Sequence, residues 1–387
     1  MPKRHSLDAV IIGAGVVGAA CAYYAARSGL TVAVVDRGPV AGGTTGAGEG
    51  NLLVSDKGAG PELDLALLST RLWRELSDAL PADIEYEPKG GLVVAHDEPT
   101  LKALRVFAES QRTAGVRADE IAAEDLTTLE PHLSPDQAGG FRYPQDAQVQ
   151  PAKAAARLLE AAGVSVHLGE EVTEILRTPA GGVAGVRTTR RELLTPAVVN
   201  AAGTWGGEVA RLAGTHLPVL PRRGFVLVTE PLPRMVRHKV YAADYVADVA
   251  SGSASLQSSA VVEGTPSGPV LIGATRERVG FDRSLSLEAL RRLATQAAAL
   301  FPFLADVEVI RAYHGFRPYL PDHLPAIGAD PRVPGLHHAC GHEGAGIGLA
   351  PATGALVAAA LTGSQPPLDP SPFSPSRDFA HHEGEAG

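Results

Sequence analysis

Apolar positions along the chain switch between a period of two and a period near 3.6, and each switch marks a change of element. Residues 8–12 read as a buried strand, 17–28 as the helix after it, stopped by Gly29, and 31–35 as a second β-branched run. Strand, glycine turn, helix and strand within about thirty residues make one βαβ unit and imply a parallel sheet. The Gly/Thr-rich stretch 38–50 is too small-sided to be a core element. Leucines at 63, 67, 72, 76 and 80 keep helical spacing, so 62–80 is predicted as an amphipathic helix. A strand over 91–95 and a helix over 99–113 follow. Pro151 opens a helix through Ala162, at the position where its missing N–H costs nothing.

Strands are predicted over 164–168, 172–176, 183–188, 197–200, 225–229 and 270–274, and the small polar stretch 251–259 as a surface loop. Leucine or alanine at 287, 290, 293, 294, 297 and 300 gives a one-faced helix. After Gln365, prolines at 366, 367, 370, 372 and 375, then His381 and His382, suggest an extended or disordered tail.

Composition narrows the class. With 387 residues, 45% apolar and 20% charged, the chain exceeds what one core usually organises, and two domains interleaved in sequence are expected. The same figures exclude a disordered or fibrous chain. Lys and Arg number 34 against 43 Asp and Glu, a net −9, and no long basic run occurs. Nucleic acid and anionic membrane are therefore poor partners. Cys21 and Cys340 are too few for a disulfide framework or for holding an iron–sulfur cluster alone, which favours the cytoplasm. Lys3 and Arg4 ahead of the uncharged run 9–26 imitate a signal peptide. Asp8 and the glycines at 13, 15 and 18 argue against one, and the run is shorter than the roughly 20 residues of a membrane span.

The chemistry starts at Gly13-Ala14-Gly15-Val16-Val17-Gly18, a G-x-G-x-x-G between strand and helix. Gly13 permits the turn, Gly15 lets backbone approach a pyrophosphate, Gly18 lets helix and strand pack closely, and the helix N-terminus supplies positive charge. Asp36 ends the second strand 23 residues after Gly13, placed to accept hydrogen bonds from an adenosine ribose. A dinucleotide is the expected ligand; on this motif alone NAD and FAD both remain. The stretch 42–50, with Thr44, Thr45, Gly46 and Gly50, favours a flavin, because small residues let backbone run along a pyrophosphate and threonine hydroxyls can donate to phosphate.

Near the carboxy end, Gly315-Phe316-Arg317-Pro318 mounts an arginine on a stiff, poorly helical turn. It suits bidentate binding of a carboxylate, or a structural pair with an acid such as Asp322. Gly341-His342-Glu343-Gly344-Ala345-Gly346-Ile347-Gly348 is a second glycine loop, feeding an alanine-rich helix to Leu361. A helix N-terminus there would stabilise negative charge on a reduced flavin. His338, Cys340 and His342 share a face if extended, but no regular zinc spacing accompanies them, so no metal is expected. No nucleophile or P-loop signature occurs.

Taken together with 199–205 (Val-Asn-Ala-Ala-Gly-Thr-Trp), Gly273-Ala274-Thr275-Arg276 and Val261-Val262-Glu263-Gly264-Thr265, these motifs resemble the FAD-dependent D-amino-acid-oxidase-like superfamily of glycine oxidase and sarcosine oxidase. Within it they look most like the group holding the flavoprotein subunits of hydrogen cyanide synthase, opine oxidase and hydroxyproline dehydrogenase. The resemblance implies an α/β fold, with a Rossmann-like FAD-binding domain (1–80, 145–215 and 310–363) interleaved with an α+β substrate domain containing a mixed β-sheet (81–144 and 216–309). A flexible Pro-rich tail (364–387) would follow. It places Asp36 and Arg37, Val172 beside the adenine, and Ala201, Ala202, Gly203 and Trp205 along non-covalent FAD. Gly341, Gly344, Ala345, Gly346, Ile347 and Gly348 come under the flavin, and Arg317 on the substrate carboxylate.

Two departures stand out. Glycine oxidase has a second arginine where this chain has Gly344, and its substrate-domain tyrosine falls near 259–261, where none occurs. Tyr241, Tyr245 and Tyr319 are the candidates to compensate. No cysteine in 315–322 is present to tether a flavin. The implied activity is oxidation of a C–N bond in a small amino or imino acid by a dehydrogenase subunit that passes electrons to partner flavin and iron–sulfur subunits. An oxygen-using oxidase, a silent flavoprotein scaffold and an NAD-dependent dehydrogenase are the alternatives.

Overall fold

The computed structural model describes residues 7–246, 251 and 253–379. The signal-like Lys3 and Arg4 and the terminal His381 and His382 lie outside the described residues.

Ala9–Ile12, Val32–Asp36, Ser165–Leu168, Val198–Asn200 and Leu336–Cys340 form a parallel sheet, to which Ala326–Ala329 adds an antiparallel edge. The apolar runs of Ala9–Ile12 and Val32–Asp36 follow from burial on both faces at the centre of the sheet. The helix Val16–Arg27 crosses between the first two strands and packs against Pro151–Ala162 and the carboxy-terminal helix Gly346–Thr362. That last contact depends on glycine, since a Cβ on Gly354 would sit 2.6 Å from the Ala20 carbonyl oxygen. Trp73, on Pro61–Ala79, donates from Nε1 to the Ile347 carbonyl at 3.0 Å and fixes the start of the same helix.

The second layer is an eight-stranded mixed sheet. Its order is Val309–Tyr319, Leu220–Pro231, Pro269–Arg276, Gln257–Gly264, Lys239–Ala242, Gly91–Ala95, Gly139–Tyr143 and Asp119–Ala122. Lys239–Ala242 and Gly91–Ala95 pair in parallel; the other neighbours are antiparallel. Alternation along Leu220–Pro231 assigns the faces. Phe225 and Leu227 pack under the helix Leu287–Leu300, while Gly224 and Val226 line a cavity on the other side.

Four expectations need correction. Residues 315–319 are not a turn but the end of the edge strand Val309–Tyr319. Pro318 is tolerated there because it faces Pro221 in register and no further strand asks for its N–H. That strand belongs to the larger sheet, although the division of the chain at 310 assigns it to the FAD-binding domain. In 251–259, the last three residues are already in the strand Gln257–Gly264. The chain from 364 to 379 is docked: Phe373 is fully buried, and Arg377 donates to Asp322 Oδ1 at 3.0 Å and to Oδ2 at 2.5 Å. Proline enrichment reports an extended backbone and says nothing about whether its side chains find a core.

Candidate active site

A continuous cavity of about 940 Å³ runs from Asp36 to Arg317, between the two layers. At one end the chain turns from Ala9–Ile12 into Val16–Arg27. Gly13 holds φ at +118°, and a Cβ there would lie 2.3 Å from the Ala201 carbonyl oxygen. Gly15 caps the helix without a side-chain bond, leaving first-turn amides for an anion, and Thr45 Oγ1 accepts from Val16 N at 3.1 Å. Asp36 accepts from Ala14 N and Gly38 N, each at 2.7 Å. Each carboxylate oxygen keeps a second lone pair, so Asp36 fixes the loop and remains an acceptor. Beside it, the Arg37 guanidinium lies 4.5 Å from the Trp205 ring centre.

The helix Gly346–Thr362 brings a second N-terminus to the cavity, again without a side-chain cap, from Ala345. Two helix starts without a cap from their own N-cap residue open side by side on one groove and make a site for an elongated anion.

Beyond that helix the wall is the larger sheet. Arg317 is half-buried and opens onto the cavity, with Nη1 donating to the Thr275 carbonyl at 2.8 Å. Its space exists because Gly224 faces it: a Cβ there would come within 2.0 Å of Nη1. Burial pushes the guanidinium down to about 10, and the like charge of Arg276 pushes the same way. Arg222, paired with Arg317 across the strands, is instead neutralised. It donates to Glu343, to Gln257 Oε1 at 2.8 Å and to the Ser251 carbonyl at 2.9 Å. Burial alone would raise the Glu343 carboxyl, but His323, at 3.0 Å, and Arg222 outweigh it and hold it at about 2. Deeper in the wall, Lys239 pairs with Glu263 and lies 3.7 Å from Glu49. Burial raises Glu49, against the pull of Lys239.

Residues 8–360 match the family described as FAD dependent oxidoreductase. The chain belongs to the FAD-dependent oxidoreductase family. It is 31% identical to hydrogen cyanide synthase subunit HcnC of Pseudomonas aeruginosa, over 97% of each chain. It is 30% identical to glycine oxidase of Geobacillus kaustophilus, over 99% of each. The crystal structure of that glycine oxidase superimposes with a TM-score of 0.86 at 28% identity, covering 97% of this chain and 99% of the other.

FAD is the cofactor of this family, and the groove fits it, with amide-bearing helix starts for the pyrophosphate and space where glycines replace side chains. Of the residues expected to hold it, Gly13, Gly15, Val16, Val17, Asp36 and Arg37 line the cavity. So do Thr44, Thr45, Val172, Ala201, Ala202, Gly203 and Trp205, and at the far end Gly344, Gly346 and Ile347. Gly18, Gly46, Gly50, Gly341, Ala345 and Gly348 do not. A Cβ on Gly18 would strike Gly13 O at 1.9 Å, one on Gly46 Ala41 O at 2.4 Å, and one on Gly50 Val149 O at 1.8 Å. Gly341 carries φ +83° and a Cβ on it would strike Leu320, Ala345 is the helix N-cap, and a Cβ on Gly348 would lie 3.5 Å from Asn51 O. These six shape the groove without facing it.

The three histidine and cysteine candidates each have protein partners. His338 is bonded to Asn200 and Asp330, Cys340 donates to the Asn200 carbonyl, and His342 meets Thr353. Of the three tyrosines, Tyr245 lines the cavity. Tyr241 donates to Ser55 in the core, and Tyr319 lies under Arg222. Sequence reasoning gave no role to Glu49, Arg276, or the Arg222–Glu343 pair. Glu49 and Arg276 sit inside motifs already singled out, and a lone charge in an otherwise small-residue stretch was the available signal.

Proposed function

We propose that this enzyme oxidises the C–N bond of a small amino or imino acid whose carboxylate is held by Arg317. The observation that carries the reading is Arg317 itself, a rigid fork opening onto the groove, with no carboxylate within 4.0 Å of it among the described residues. An oxidoreductase that leaves an arginine unpaired in its groove invites an anionic substrate group, and a bidentate carboxylate matches the fork. The named activities of the relatives, glycine oxidation and hydrogen cyanide synthesis, support the same class.

Bound FAD supplies a two-electron acceptor for the hydride of the substrate α-carbon. The protein supplies orientation. Arg317 anchors the carboxylate, Thr275 and Gly224 hold the guanidinium in one rotamer, and Tyr245 closes the side of the site. The amine must be neutral when it reacts, so no protein base is required, and the imine product hydrolyses in water. Both cysteines are buried and too few for a cluster, so reoxidation as a dehydrogenase subunit falls to partner flavin and iron–sulfur subunits.

Anaerobic titration of the flavin spectrum with amino acids, imino acids and opines tests the reaction. Bleaching by carboxylate-bearing amines is expected, and a spectrum unmoved by all of them overturns the reading. Arg317→Lys should raise KM for such substrates tenfold or more, since losing a bidentate pair costs about 1.5–3 kcal/mol. Stopped-flow mixing of the reduced enzyme with air separates the dehydrogenase, which stays bleached for many seconds, from an oxidase.

A further inference from the structure

Seven buried side-chain nitrogen or oxygen atoms lack a hydrogen-bond partner among the described residues, and two of them, Glu49 Oε1 and Asn51 Oδ1, belong to residues that line the cavity. Asn51 stands beside the start of the carboxy-terminal helix, where its carbonyl oxygen would lie 3.5 Å from a Cβ on Gly348. Glu49 is laid on the larger sheet, and a Cβ on Gly273 would strike its Oε2. The Glu49 side chain is 5% exposed, and a carboxylate can accept about four hydrogen bonds. Among the described residues neither of its oxygens accepts one. Lys239 is 3.7 Å from Oε1, too far to donate, and gives its hydrogen bond to Glu263. Oε1 is sealed in on that side, so Oε2 is the oxygen that faces the groove.

The sheet sets the distance from Glu49 to Arg317. Arg317 Nη1 lies over Gly224 as Glu49 Oε2 lies over Gly273. Ile272 stands opposite Leu227, so Gly273 comes opposite Val226, two residues along the strand from Gly224. Diagonal neighbours on paired strands are about 7–8 Å apart. In an α-amino acid the nitrogen is about 3 Å from the carboxylate oxygens, and two hydrogen bonds of about 2.8 Å extend that span to about 8 Å. The charges match as well as the length. Burial works against the charged form of both Glu49 and Arg317, and a zwitterion laid between them brings each an opposite charge.

We propose that Glu49 recognises the substrate nitrogen, Oε2 accepting an N–H while Arg317 holds the carboxylate of the same molecule. This inference rests on the proposed oxidation of a carboxylate-bearing amine and adds the residue that selects for the amine. A primary amine, an ammonium and a secondary imino acid all have an N–H to give. In the neutral amine, holding one N–H on Oε2 fixes the direction of the lone pair that assists departure of the hydride from the adjacent carbon. A ligand with no N–H leaves a buried carboxylate unpaired, and that loss is what excludes it.

Binding can be tested apart from turnover with 2-aminoisobutyrate, which has no α-hydrogen to lose, and pivalate, which has the same shape with a methyl group in place of the amine. Calorimetric titration of the FAD-loaded protein should show 2-aminoisobutyrate binding at least tenfold more tightly. A smaller wild-type ratio, binding of neither probe included, overturns the assignment. In Glu49→Leu and Glu49→Gln the ratio should drop at least fivefold, further in the leucine variant because glutamine keeps an acceptor. A smaller drop in a folded variant overturns it too. Glutamine has the shape of glutamate and leaves Lys239 paired with Glu263, so Glu49→Gln carries the test if Glu49→Leu does not fold. Its FAD content, read from visible absorbance, should match the wild type; loss of FAD would assign the carboxylate to the cofactor instead. Parallel anaerobic bleaching keeps the two levels apart. If carboxylate-bearing amines bleach the flavin while the two probes bind alike, the nitrogen site falls alone. If no amine bleaches it while the preference depends on Glu49, the nitrogen site stands and amine oxidation falls.

Discussion

Gly224 carries no functional atom, yet it sets the position of the residue on which the proposed chemistry turns. Its α-carbon faces Arg317, and any side chain would enter the space of Nη1 and of the Thr275 carbonyl, 2.5 Å from the built Cβ. Gly224→Ala should therefore displace the fork, raising KM for carboxylate substrates tenfold or more while FAD content stays at the wild-type level. Loss of FAD instead, read from the ratio of visible to ultraviolet absorbance, would show that the residue supports the groove rather than the arginine. Overpacking of this kind costs typically 1–3 kcal/mol, and part of it should appear in stability.

Among elements, the docked segment after Gly363 makes the clearest demand. Phe373, in the short turn Ser371–Phe373, is fully buried in the same core as the carboxy-terminal helix. Phe373→Ala should destabilise the protein by about 3–5 kcal/mol, measured by urea unfolding. A change under 1 kcal/mol would mean that the segment is a surface strap. This segment also shows where the sequence is legible and where it is not. Apolar period and capping residues locate Pro61–Ala79, Pro151–Ala162 and Leu287–Leu300 to within a residue or so, because those signals are local. The edge strand Val309–Tyr319 escapes: glycine and proline punctuate it, and what makes it a strand is its register against Leu220–Pro231, about ninety residues away in sequence. The cofactor loops at 13–18 and 44–50 are visible because close backbone approach demands glycine. The Arg222–Glu343 pair is not, because contact between residues 121 apart in sequence is a property of the assembled fold alone.

For the whole molecule, buried imidazoles set a pH limit. His337 is 8% exposed, and its Nδ1 has no partner. Burial pushes it down to about 4 from an ordinary value of 6.5, helped by His338. A folded value below the unfolded one gives stability that is complete above pH 6.5 and lost as pH falls toward 4, since unfolding then takes up a proton. His337→Leu removes that dependence. The stability of the wild type relative to this variant should fall by about 3 kcal/mol between pH 7 and pH 4, from the 1.36 kcal/mol carried by each pKa unit. Urea midpoints at both pH values check this, and a constant difference would show that His337 is reached by water in the folded state.

The groove draws one of its anion-binding helix starts from Val16 and the other from Gly346, and the two helices touch through Gly354 and Ala20. During synthesis the first of these leaves the ribosome hundreds of residues before the second. The nascent chain therefore has no complete pocket to fill until the helix that begins at Gly346 has emerged, and loading with flavin must wait for it, competing with whatever captures the segments already exposed in the meantime.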